Sequence, residues 1–72
     1  MSHSGISRAV LVPNLLRRRL QSALTQGELA RAAGVSRATV TRAEAGEEIR
    51  ISSVRKLARA LRCQPRDLLG PL

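Results

Sequence analysis

Residues 27–46, GELARAAGVSRATVTRAEAG, constrain the fold more than any other part of the chain. Alanine, arginine, leucine and glutamate all favour a helix, so composition alone would make the stretch one rod. Gly34 interrupts it, and Ser36 follows two residues later. Glycine takes positive φ without a Cβ penalty and so ends helices, while serine caps the start of the next one. The stretch therefore reads as two short helices joined by a tight turn. Thr25-Gln26-Gly27-Glu28 is a capping box that opens the first, with Leu24 and Leu29 as its hydrophobic staple. Val35 and Val40 form a second staple, and the second helix runs to about Ala45 before Gly46 stops it.

The rest of the chain carries three more helical segments. One runs from Asn14 or Leu15 to Ala23, with Asn14 able to cap it. Leu16, Leu20 and Ala23 or Leu24 form its apolar face. Residues 47–51 read as a loop. A further helix, capped by Ser52 or Ser53, places Val54, Leu57, Ala58 and Leu61 at the spacing of one buried face. Gln64-Pro65 opens a short fifth helix, and Leu68 and Leu69 can pack back on the core. No strand signal is visible, so the expected fold is all-α, a compact five-helix bundle. Residues 1–13 read as an N-terminal arm, flexible or dimer-contacting, and residues 14–72 as the domain. At 72 residues one domain is the sensible count, and its core is small.

Two helices at a fixed angle do what one rod cannot. Leu29, Val35, Val40 and Ala43 point inward and lock the angle. Arg37, Ala38, Thr41, Arg42 and Ala45 remain outside. The first helix can then rest on a phosphate backbone while the second enters a major groove. Small side chains let the second helix approach base edges, and Arg37, Arg42 and Thr41 can hydrogen-bond to bases. Gln26 lies beside helix-start amides suited to an anion. Charge agrees: thirteen Lys and Arg against five Asp and Glu give a net +8, which favours a polyanionic partner. Aromatic residues are absent, against modules that stack single-stranded bases. The one cysteine, Cys63, permits neither an internal disulfide nor a cysteine-based zinc site, and reads as a small buried hydrophobe. His3 stands alone. Serine, histidine and acidic residues do not cluster, so neither an enzyme nor a metal or cofactor is expected. No apolar run is long enough to span a membrane, and the start of the chain has too short an apolar stretch for a secretory signal.

TQGELARAAGVSRATVTRAEAG resembles the helix-turn-helix of the Cro and phage-repressor family, also called the xenobiotic-response-element type. Gln26, Leu29-Ala30, Gly34-Val35-Ser36, Val40 and Glu44-x-Gly46 all fall at the family spacing, and VRKLARALRCQPRDLL matches its last two helices. The resemblance implies a repressor-like fold over about Leu15 to Leu69. It implies base contacts at Arg37, Ala38 and Thr41, with Arg42 at a base or backbone position. Gln26 would contact phosphate, with Thr25, Ser36, Thr39, Arg17, Arg18 and Arg50 as further backbone candidates. Arg19 and Glu44 match a structural ion pair. Glu47 and Glu48 depart from the pattern, placing negative charge where the family often carries bases. The expected function is a sequence-specific regulator of transcription, a cytoplasmic, nucleoid-associated repressor acting as a homodimer on an inverted repeat of double-stranded DNA. The dimer surface is expected at residues 62–72, or on the arm. The alternative is the antitoxin of a toxin–antitoxin pair, which would bind a partner toxin as well as its own promoter.

Overall fold

A computed structural model describes residues 8–70. Along the chain run β1 (Ala9–Val10), α1 (Leu15–Gln21), α2 (Gln26–Ala33), α3 (Arg37–Glu44), β2 (Ile49–Arg50), α4 (Ile51–Ala60) and α5 (Pro65–Leu69). The five helices close on one core. Leu15, Leu29, Val40, Leu57 and Leu68 bring a fully buried side chain from each helix, and Val12, Ala43, Ile49 and Val54 fill between them. Burying a leucine in this way contributes about 2 kcal/mol.

The break after Ala33 is present. Gly34 sits at φ 73°, in the left-handed region, and Val35 N donates to Ala30 O at 3.0 Å to close the turn. A Cβ at Gly34 would meet nothing, so glycine is favoured there for its backbone angle alone. On the far side Ser36 Oγ accepts from Thr39 N at 3.1 Å and starts α3. The α2 capping box is complete: Thr25 Oγ1 accepts from Glu28 N at 3.0 Å, and Glu28 Oε1 accepts from Thr25 N at 2.9 Å. The hydrogen bonds from Thr25, its backbone N–H first, hold the Glu28 carboxyl below its ordinary pKa.

Three features differ from the sequence reading. The first is a two-stranded antiparallel sheet in which Ala9 faces Arg50 and Val10 faces Ile49. Two residues per strand are too few to leave a periodic signal. This pairing ties part of the segment read as an arm to the fold, with Val12 2% exposed; residues 1–7 lie outside the described residues. The second is the start of α4. It begins at Ile51, and neither Ser52 nor Ser53 caps it. The sheet holds Arg50 extended, and Ile51 N donates to Arg8 O at 2.9 Å. A backbone carbonyl thus serves one of the orphan N–H groups that a serine would otherwise take.

The third is the rotation of α1. Leu15 is 0% exposed, but Leu16 is 43% and Leu20 61% exposed. The inward stripe is Leu15 and Arg19, one turn apart, because Arg19 reaches across to α3. Leu16 and Leu20 lie 100° further round the helix and face outward. Asn14 stands before α1 without capping it: its Nδ2 donates to Asp67 O at 3.1 Å and its backbone N–H to Leu68 O at 3.2 Å, docking α5.

Candidate nucleic-acid interface

A polar clasp fixes the angle between α2 and α3. Arg19 Nε donates to Glu44 Oε2 at 2.6 Å, and Arg19 Nη2 to Glu44 Oε1 at 3.0 Å, the two-pronged geometry of the stronger arginine–carboxylate pairs. A third donor, Arg19 Nη1, bonds Leu24 O at 2.8 Å. Both side chains are nearly buried, 12% and 7% exposed. The hydrogen bond to Glu44 raises the Arg19 pKa. Burial pushes the Glu44 carboxyl up, but hydrogen bonds from Arg19 and Gln26 and the charge of Arg19 outweigh it, so its pKa falls below the ordinary value.

Gln26 extends the clasp. Its Nε2 donates to Glu44 Oε1 at 2.9 Å, and its Oε1 accepts from Thr41 Oγ1 at 2.9 Å. The amide orientation follows from chemistry. An ionised carboxylate can only accept, so Gln26 must turn its NH2 toward Glu44 and its oxygen toward Thr41. Thr41 must then donate. Its hydroxyl keeps only lone pairs, and its methyl, for any further partner. Gln26 keeps one free N–H.

With the angle held, α3 presents Arg37, Ala38, Thr41, Arg42 and Ala45 on its exposed side, while Val40 and Ala43 are buried behind them. Thr25 and Ser36, at the two helix starts, are also exposed, and Thr39 is half-buried. Ser36 Oγ and Thr39 Oγ1 share a hydrogen bond of 2.9 Å. Arg50 and Arg42 meet at an open cleft of 400 Å³ that Thr39 and Glu48 also line. Arg17 and Arg18 stand apart from this group, on the α1–α5 side. Arg17 Nη2 donates to Asn14 Oδ1 at 3.1 Å, and Arg18 Nη2 approaches Asp67 Oδ2 at 3.9 Å. Each is displaced by a multiple of 100° from Arg19, which alone of the three reaches α3.

Sequence reasoning missed the Gln26–Thr41 link and the docking of Asn14 and Arg18 on α5. Both join residues distant in sequence, and no local pattern marks them. Cys63 is half-buried beside the core, and burial raises the pKa of its thiol. Among the described residues no group of acidic, histidine or cysteine side chains is arranged to hold a metal ion, and no helix is long and apolar enough to cross a membrane.

Comparison with known proteins agrees with this geometry. A family model described as helix-turn-helix matches residues 15–68. The crystal structure of a hypothetical transcription factor, NHTF from Neisseria, superposes with a TM-score of 0.73 at 34% identity, over 81% of this chain and 68% of that one. The transcriptional regulator VanUg superposes with a TM-score of 0.68 at 20% identity, over 100% of this chain and 97% of that one, a likeness of fold. No curated protein matches the chain.

Proposed function

From the premise that the chain belongs to the Cro/C1-type helix-turn-helix family, whose members are non-enzymatic DNA-binding regulators, we propose that it is a transcriptional repressor that binds an inverted-repeat operator as a homodimer. The observation that carries the reading is the clasp of Arg19, Glu44, Gln26 and Thr41, which sets α3 at a fixed angle with its polar face free. In this reading residues 14–72 are the DNA-binding domain. The start of α2 rests on the backbone of a duplex, and α3 lies in its major groove. Arg37 and Arg42 donate to guanine or phosphate, and Ala38 allows close approach. Thr41, left with lone pairs and a methyl, suits the amino group of adenine or cytosine, or the methyl of thymine. Thr25, whose hydroxyl proton is free, and Gln26, with its spare N–H, donate to phosphate. Ser36, Thr39 and Arg50 serve the backbone on the other side of α3. Such work belongs to the cytoplasm, on the nucleoid.

One small domain reads few bases, so two copies on half-sites about 34 Å apart supply the specificity. In-vitro selection from random duplex DNA at physiological salt tests this. The expected product is an inverted repeat, with A, C or T at the base beneath Thr41. Selection that enriches no sequence overturns the reading.

A further inference from the structure

Every hydrogen bond of the clasp has a direction, and the directions depend on one another. The Glu44 carboxylate accepts at both oxygens: Oε2 from Arg19 Nε, and Oε1 from Arg19 Nη2 and Gln26 Nε2. Glu44 is 7% exposed and Arg19 12%, so water competes little for these places. A carboxylate paired with a guanidinium in this way stays ionised and has no proton to give. Gln26 is thereby oriented from behind, with its NH2 toward Glu44. Its oxygen is left for Thr41, whose hydroxyl donates at 2.9 Å. From the exposed face of α3 inward, each group donates to the one behind it: Thr41 to Gln26, and Gln26 to Glu44.

On the major-groove edge the four bases ask different things of such a hydroxyl. Adenine and cytosine present an amino donor, which a lone pair of Thr41 accepts. Thymine presents a methyl, which the Thr41 methyl meets. Guanine presents only acceptors, N7 and O6. Against guanine, lone pairs face lone pairs, and each group gives up its water without gaining a partner. A threonine free to rotate would not discriminate in this way, because its hydroxyl donates or accepts as the base requires.

We propose that Glu44 is a specificity-determining residue that touches no base: through Gln26 it withholds the Thr41 proton and so excludes guanine from the position beneath Thr41. The inference rests on the reading of α3 as the element in the groove. It gives the nearly buried pair a second role besides holding the angle between α2 and α3. The two roles are separable. A change of angle moves Arg37, Thr41 and Arg42 together, whereas a change of hydrogen-bond direction alters one base position alone.

The test starts from the operator that the wild type selects. Fluorescence anisotropy at one salt concentration, on duplexes changed one base pair at a time, gives a preference profile for each position. The position beneath Thr41 is the one that Thr41→Val alters. There the wild type should bind adenine over guanine by about fivefold or more. In Glu44→Gln the new amide donates as well as accepts, so Gln26 is free to turn over and Thr41 recovers its proton. The preference should fall to about twofold or less at that position. It should persist at the position that Arg37→Ala relaxes. Gln26→Ala breaks the same chain one bond nearer the base, at a half-buried side chain outside the core. It should weaken binding to every duplex, through a lost backbone contact, and admit guanine as Glu44→Gln does. In the Thr41→Val background neither change should alter any profile. If circular dichroism shows Glu44→Gln unfolded, Gln26→Ala decides. Guanine still rejected by Gln26→Ala or by a folded Glu44→Gln overturns the proposal and leaves the operator reading standing. So does a Thr41→Val that alters no position, or a loss of preference at every position together, which would assign the clasp to the angle alone. A wild type that selects no sequence removes the operator reading, and this inference with it.

Discussion

Thr41 shows how one side chain's freedom is settled by its neighbour. Its proton goes to Gln26 Oε1, so in the proposed mode what it can offer a base is decided before any base arrives. Arg37 is the opposite case: exposed at the first turn of α3, it has no partner among the described residues. Arg37→Ala should therefore cost about 1–3 kcal/mol on the selected operator and relax preference at one base position, while changing binding to random duplex far less. Fluorescence anisotropy on both duplexes, at one salt concentration, makes the comparison. Backbone angles at single residues carry a second expectation. Ala23 and Arg62 follow the ends of α1 and α4 at φ 57° and 56°, where glycine serves the same role after α2 and α3. The closing bonds are all alike, from Leu24 N to Arg19 O, and from Cys63 N to Ala58 O. Ala23→Gly relieves the left-handed strain and should stabilise the domain by about 0.5–1 kcal/mol, seen as a higher Tm. An unchanged or lower Tm would show that the turn holds no such strain.

Among elements, α2 and α3 were legible in the sequence because their signals are local: a capping box, two staples, and glycines at the stops. The buried face of α4 was legible because Val54, Leu57, Ala58 and Leu61 hold one period. What was not legible came from partners far along the chain. The hydrophobic period of α1 points to Leu16 and Leu20, yet Arg19 takes the inward position because Glu44 waits there, 25 residues later. The start of α4 is set by the carbonyl of Arg8, more than 40 residues earlier, rather than by a serine. At the site, the exposed residues of α3 could be read from periodicity, while the Gln26–Thr41 bond and the turning of Arg18 toward Asp67 could not. The clasp also predicts how stability depends on pH. Glu44 titrates below the ordinary carboxylate value in the folded chain, so its contribution is complete above the unfolded value and is lost as pH falls through the folded one. Glu44→Gln should cost about 3 kcal/mol at pH 7, since it leaves Arg19 nearly buried and without its counter-charge. At pH 3, below the unfolded value, the gap from wild type should narrow, because the contribution of the Glu44 charge is then falling away. Urea denaturation at both pH values measures it, and an equal gap at each would remove the clasp's electrostatic role.

For the whole molecule, a net charge of +8 supplies attraction to a duplex without saying where the charge acts. Much of it faces elsewhere: Arg55, Lys56 and Arg59 are exposed on α4, and Arg18 is turned to Asp67. Counterion release separates these groups from those at the interface, because only charges that neutralise phosphate enter the salt slope. In the proposed mode Arg50 is such a group and Arg55 is not. Arg50→Ala should weaken operator and random duplex alike and reduce the slope of log K against log salt by about 0.9, whereas Arg55→Ala should leave the slope unchanged. Glu48 supplies a test of opposite sign. It lines the same cleft as Arg42 and Arg50, so in the proposed mode its carboxylate lies where phosphate would approach and weakens binding. Glu48→Gln should tighten binding to every duplex at low salt, with the gain shrinking as salt screens it. If Arg55→Ala lowered the slope and Glu48→Gln left affinity unchanged, the duplex would have to lie against α4 instead, and α3 would not be the element in the groove.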